Sequence, residues 1–225
     1  RVKVGTLRGD SLELVLKRAF VKNGISLQEV DIIYYDDLFK MIDAFSSKEV
    51  DILTHVKPYT TDLIAKMEAV LLINSEQTWS LRTPNTVVNI LEKNLVNKPQ
   101  IVAAYLNGLQ DAAKMINESP EQVVKLLSGK NYFKVSDAIL LSSFISAPEP
   151  ISFEPDIRVF DSVAHDLVDL GYIKNQIPSK QILQISIKDW EINAPIFTDS
   201  ILNKKENEAY WLPIIFGVIS IVTFF

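Results

Sequence analysis

The sequence predicts an α/β protein built on a mainly parallel sheet, and three observations carry that reading. Short apolar, β-branched runs alternate with amphipathic helical stretches over residues 1–75, the signature of strand–helix–strand units with right-handed crossovers. Beyond residue 85 one more apolar run is followed by helical patterns alone. A length of 225 residues with 48% hydrophobic and 23% charged content suffices to bury a sizeable core in one or two domains.

Each element has a local reason. "RVKVGTL" is strand-like, and "GDSLELVLKRAFVKNG" follows as a helix. Asp10 is its expected N-cap, Glu13 the capping-box partner and Gly24 the stop beyond its last turn. "VDIIYY" is a second strand, after which Asp36 or Asp37 caps the helix "LFKMIDAFSSKEV". "VDILTHV" is a third strand, "TTDLIAKM" a short helix and "AVLLI" a fourth strand. A polar link from Asn74 to Asn85 then leads into the strand "TVVNIL".

The second half is helical. "KPQIVAAYLNGLQDAAKMIN" places Pro99 in its first turn and Val102, Tyr105, Leu109, Ala112 and Ile116 at helical spacing. "SPEQVVKLLSG" has Ser119 as cap, Pro120 at the first helical position, Gln122 at the capping-box position and Gly129 as terminator. "VSDAILLSSFIS" and "DIRVFDSVAHDLVDLGYI" are two further helices, divided by the Pro-rich bend "APEPISFEP". The closing run "YWLPIIFGVISIVTFF" lacks charge but is shorter than the ~20 residues of a spanning helix. It predicts the start of a transmembrane helix over 211–225, with Tyr210 and Trp211 at the interface, reached through a linker over 191–210. With no leader before Arg1, both ends read as cut.

Composition excludes several classes. A net charge of −5 argues against nucleic acid as a main partner. The absence of cysteine removes thiolate metal sites, disulfides and cysteine nucleophiles. His55 and His165 are far apart in sequence and no third-ligand pattern accompanies them, so no metal is expected. No Ser-His-Asp ordering, phosphate loop or dinucleotide fingerprint is present, and neither catalysis nor a cofactor is expected. The acidic residues read mostly as solvated helix faces.

In an open parallel sheet, ligands bind beyond the carboxyl ends of the strands. Three loops fall there: Thr6 to Ser11, Tyr34 to Asp37, and Thr54 to Tyr59. In the first, Gly9 lets the backbone come close and the following helix offers amide N–H groups to an anionic or polar head. Arg8 adds a bidentate donor and Ser11 a hydroxyl. The same stretch also fits a plain strand-to-helix turn whose own Asp10 uses those amides. Arg8-Gly9-Asp10 spells a cell-adhesion tripeptide, but a capping Asp10 is not free for that use. Tyr35 ends the second strand, while His55, Lys57 and Tyr59 stand together at the end of the third. The candidate ligand-binding set is therefore Thr6, Arg8, Gly9, Asp10, Ser11, Tyr35, His55, Lys57 and Tyr59.

"KVGTLRGDSLELVLKRAFVKNGI", "VDIIYYDDLFKMIDAFSSKEVDILTHVKPYTTDLI", "NKPQIVAAYLNGLQDAAKMINESPEQVVKLL" and "VFDSVAHDLVDLGYIKN", in this order over about residues 1–187, resemble a known family. It is the type II periplasmic solute-binding proteins for taurine, alkanesulfonates, nitrate and thiamine-pyrimidine precursors. The resemblance implies two α/β lobes hinged around a cleft. Residues 1–80 would be the second lobe, with its mainly parallel sheet. Residues 81–190 would be the returning strand and helices of the first lobe, whose N-terminal half would precede Arg1. It also implies that the Gly-Asp-Ser helix end takes the ligand's head. Where the family commonly shows a Trp-Glu-Pro-Tyr-like run, this chain has Val56, Lys57, Pro58 and Tyr59, which suggests a more anionic solute than taurine.

The tail departs from transport proteins and resembles membrane receptors with a binding module outside and a kinase or cyclase domain inside. The expected function is an extracytoplasmic sensor module for a small polar or anionic solute, anchored in the bacterial inner membrane by its C-terminal segment. The alternative is the substrate-binding component of an ABC importer, partnered by a permease. An enzyme of thiamine-pyrimidine synthesis shares the fold, but this chain lacks a catalytic set.

Overall fold

Residues 1–80, 88, 90–146, 150–152, 157–179 and 222–224 are described by the computed structural model. Strands β1 (Val2–Leu7), β2 (Val30–Tyr35) and β3 (Ile52–Val56) run parallel in the order β2-β1-β3. Val2 pairs with Val30 and Leu7 with Tyr35, while Val4 pairs with Ile52, so the three carboxyl ends lie side by side. The order explains the layers. The chain steps from β1 to β2 in one direction and from β2 to β3 in the other, so two right-handed crossovers put their helices on opposite faces. One face carries α2 (Leu38–Ser46) and α3 (Tyr59–Met67), packed through Met41, Leu53 and Leu63. The other carries α1 (Ser11–Lys22), whose Leu12 and Val15 meet Trp79 and Val159.

Capping sets the helix starts. The Asp10 carboxylate accepts from the Leu12 amide at 2.9 Å. Asp37, not Asp36, caps α2, accepting from Phe39 N–H at 2.7 Å and Lys40 N–H at 3.0 Å. Gly24, at φ +68°, ends α1 in the left-handed conformation that glycine adopts without cost.

The predicted strand "AVLLI" is not one. Glu68 takes a left-handed conformation that stops α3, and Ala69–Ile73 continue without ladder pairing, leaving Val70 70% exposed. The β3 edge that could receive this run pairs antiparallel with β4 (Val222–Phe224). The link after it holds a helix, α4 (Ser75–Trp79), opened by a reciprocal capping box between Asn74 and Gln77. Of "TVVNIL", Val88, Ile90 and Leu91 are not in a strand, and the rest lies outside the described residues.

Helices α5 (Glu92–Asn97), α6 (Pro99–Glu118), α7 (Pro120–Leu127) and α8 (Asp137–Ile145) follow. Leu109, Ile116, Val123, Val124, Leu127 and Leu140 form a second core. Ser119 precedes α7 without a side-chain cap bond, so the expected capping box is not made there. The last described helix, α9 (Ile157–Asp169), returns to the sheet layer, where Val159 packs with α1 and Trp79. Among the described residues no helix is long and apolar enough to cross a membrane. Of the run 211–225 only Val222–Phe224 are described, and these β-branched and aromatic residues are extended, not helical. The linker 191–210 lies outside the described residues.

Candidate functional site

Parallel pairing brings the three predicted loops to one edge, as the β1–β2 and β1–β3 registers require. Within it the nine candidates divide. Thr6 is fully buried, its hydroxyl accepting from Thr54 Oγ1 at 2.8 Å. His55 is also fully buried, with Nδ1 accepting the Val56 amide at 2.9 Å and Nε2 3.0 Å from the Leu38 carbonyl. Both tie strands and helices together beneath the edge and present nothing to a solute. Arg8, Gly9, Asp10 and Ser11 are exposed at the tip, and Tyr35, Lys57 and Tyr59 are half-buried around it.

The tip is partly served by its own carboxylates. Gly9 N–H donates to Glu13 Oε2 at 2.6 Å, and Ser11 Oγ lies 3.1 Å from Asp10 Oδ1. Glu13 thus reaches one residue further back than a capping box would take it. Its other oxygen accepts from Tyr34 Oη at 2.9 Å and pairs with Lys17 Nζ at 2.6 Å. Burial alone would raise this carboxyl. The bonds from Lys17, the Gly9 amide, Tyr172 and Tyr34 outweigh it and hold the pKa at about 2. Lys17 also donates to Tyr172 Oη at 2.7 Å, and its own pKa is pushed up despite burial by Glu13 and Tyr172. Arg8 lies over the Tyr34 ring at 3.8 Å. Sequence reading places Glu13 at the cap but misses that it is 3% exposed and surrounded. The signal was there in the two tyrosines ending β2, since Tyr34 alternates onto the α1 face.

The β3 end meets the helical group. Lys57 Nζ donates to the Ser143 carbonyl at 3.3 Å and Ser146 Oγ at 3.0 Å, both on or just beyond α8. Burial pushes the Lys57 pKa down, with Glu76 pulling it up. Tyr59 stacks edge-on with Phe39 at 5.2 Å and with His55 at 5.5 Å, and its hydroxyl bonds the Lys134 backbone. Lys134 Nζ sits 3.9 Å over the Phe39 ring. Tyr35 turns away from this group: its hydroxyl bonds Glu49 Oε1 at 3.3 Å. No cluster of three metal-ligating side chains occurs among the described residues.

Of the three strand ends, that of β3 meets the helical group, through Lys57 and Tyr59. No protein-family model matches the chain, and no curated protein sequence is significantly similar to it. Solved structures are. The alkanesulfonate-binding protein SsuA from Xanthomonas axonopodis pv. citri bound to MOPS superposes with a TM-score of 0.59 at 15% identity, over 80% of this chain and 61% of that one. The periplasmic aliphatic sulphonate binding protein SsuA from Escherichia coli gives a TM-score of 0.62 at 16% identity, over 80% of this chain and 57% of that one. The fold is therefore the α/β architecture of these periplasmic binding proteins, and the chain spans about three fifths of their length.

Proposed function

We propose that the chain is an extracytoplasmic solute-binding module that holds a small polar or anionic solute at the carboxyl edge of its sheet. One observation carries this. The loop residues that a parallel sheet offers to a ligand, Lys57 and Tyr59, are the ones that reach across to Ser143, Ser146 and Lys134. A solute at that junction touches both structural groups at once and can bias how they sit together, to the extent that it binds one arrangement better. Likeness of fold to sulphonate-binding proteins supports the reading.

The module serves a receptor anchored in the bacterial inner membrane. In support, α9 and the turn after it are tied to α1 through Asp166 and Tyr172. The second reading is a binding component that hands its solute to an ABC permease, favoured by the periplasmic sulphonate-binding neighbours. A kinase or cyclase domain encoded beyond Phe225 supports the receptor, and a permease partner supports import.

The first test is a thermal-shift screen of sulfonates, nitrate and aminopyrimidines. A bound solute at a hundred times its Kd stabilises by about 2.7 kcal/mol, a readily measured shift. A flat response to every compound, confirmed by calorimetry, would remove the solute-binding reading.

A further inference from the structure

We infer that an anionic group on the solute is received by Lys57, at the junction of the β3 loop with α8, and not by the amide tip of α1. This rests on the solute-binding reading and adds to it the group that sets charge preference. The α1 tip carries its own anions. Glu13 holds the Gly9 amide at 2.6 Å and Asp10 holds the Leu12 amide at 2.9 Å. A ligand anion arriving there would displace one carboxylate while standing beside another, and like charges at such range repel. Of the cations there, Arg8 already lies on the Tyr34 ring at 3.8 Å and Lys17 is paired with Glu13 at 2.6 Å.

Lys57 is in the opposite state. Its ammonium has two neutral oxygen partners, the Ser143 carbonyl and the Ser146 hydroxyl, at 3.3 and 3.0 Å. Among the described residues it makes no ion pair, and Glu76 attracts it only from beyond that range. A half-buried cation with no direct ion pair is under-compensated, and an anion beside it offsets that cost with charge-assisted hydrogen bonds. Burial already depresses its pKa, the direction expected of an ammonium short of compensation. Lys134 adds a second positive charge to the same group of side chains, over the Phe39 ring that packs on Tyr59. Tyr59 supplies an aromatic wall and a phenol.

The test is calorimetry on the whole 225-residue chain at neutral pH. The probes are propanesulfonate, propionate and inorganic phosphate, with propanesulfonamide as neutral counterpart and propylammonium as a cation. An anion is expected to bind more tightly than the sulfonamide. Lys57→Met, or Lys57→Gln where Met does not fold, is expected to weaken that anion on the order of 10- to 100-fold and to abolish the preference. Lys57→Arg is expected to restore most of it. An unchanged preference in Lys57→Met, or tighter binding of the sulfonamide or the amine to wild type, overturns this inference and leaves the solute-binding reading standing. Binding of none of these probes, together with a flat screen, removes both.

Discussion

Glu13 Oε2 accepts the Gly9 amide at 2.6 Å, so the turn that leads β1 into α1 is closed by a carboxylate belonging to the chain. The same group takes bonds from Tyr34 and Lys17. Its folded pKa of about 2 lies below an unfolded value of about 4.3. The stabilisation is therefore fully present above the unfolded value and is lost as pH falls from about 4.3 towards 2. Two pKa units correspond to about 3 kcal/mol as an upper bound. Glu13→Gln should cost about 1–3 kcal/mol at neutral pH and flatten the acid limb of the stability curve. Urea unfolding at neutral pH and at pH near 3 measures both, and a variant with a wild-type acid limb would show the charge to be unimportant.

Asp166 joins three elements. Its Oδ2 accepts from Trp79 Nε1 at 2.6 Å and its Oδ1 pairs with Arg18 at 3.0 Å, linking α9 to α4 and α1. Asp166→Ala strands a buried indole N–H and half-buried guanidinium, and about 2–4 kcal/mol should be lost. Trp79→Phe removes one donor only and should cost less. Because both changes break the same bond, the double variant should be less destabilised than the sum of the single ones. Strict additivity would mean that the bond contributes nothing.

How much of this was legible can be judged from particular residues. Alternation of strand and helix gave β1 to β3 and their helices, because caps such as Asp37 and Gly24 act within a few residues. Position at the strand ends placed Lys57 and Tyr59 just past β3, where the structure has them. What local pattern cannot supply is the partner across the fold. "AVLLI" has strand propensity but no strand beside it to pair with, and α4 formed where a polar link was expected because Asn74 and Gln77 cap each other. His55 looked like an edge residue, but its ring turns inward to α2. Asp166 reads as a solvated helix face, and its partner Trp79 lies 87 residues away, with Arg18 further still.

The helical group has its own core, with Leu109 on α6 1% exposed and Leu126 on α7 61% exposed. Leu109→Ala removes buried methyl groups and leaves a void, with an expected cost of about 2–5 kcal/mol. Leu126→Ala should stay within about 0.5 kcal/mol. Chemical denaturation of the pair checks the assignment of the buried face of the α6–α8 group, and equal effects would contradict it.

His55 makes the fold sensitive to mild acid. Nδ1 accepts the Val56 amide, so the proton sits on Nε2, which donates to the Leu38 carbonyl at 3.0 Å. Charging the ring means protonating Nδ1 and breaking the Val56 bond inside a fully buried site. Burial accordingly lowers its pKa below the usual value, although the Leu38 and Val56 carbonyls beside the ring nitrogens oppose that. The folded state then binds fewer protons than the unfolded one as pH drops below about 6.5. Stability is fully present above that value and declines, by at most about 1.4 kcal/mol per pH unit, until the folded pKa is passed. Exposed His165, beside Asp169 at 3.4 Å, has no such burial. His55→Gln should be less stable at neutral pH yet lose the slope between pH about 7 and 5. Melting curves across that interval decide the matter, because a slope that survives in His55→Gln must come from another group.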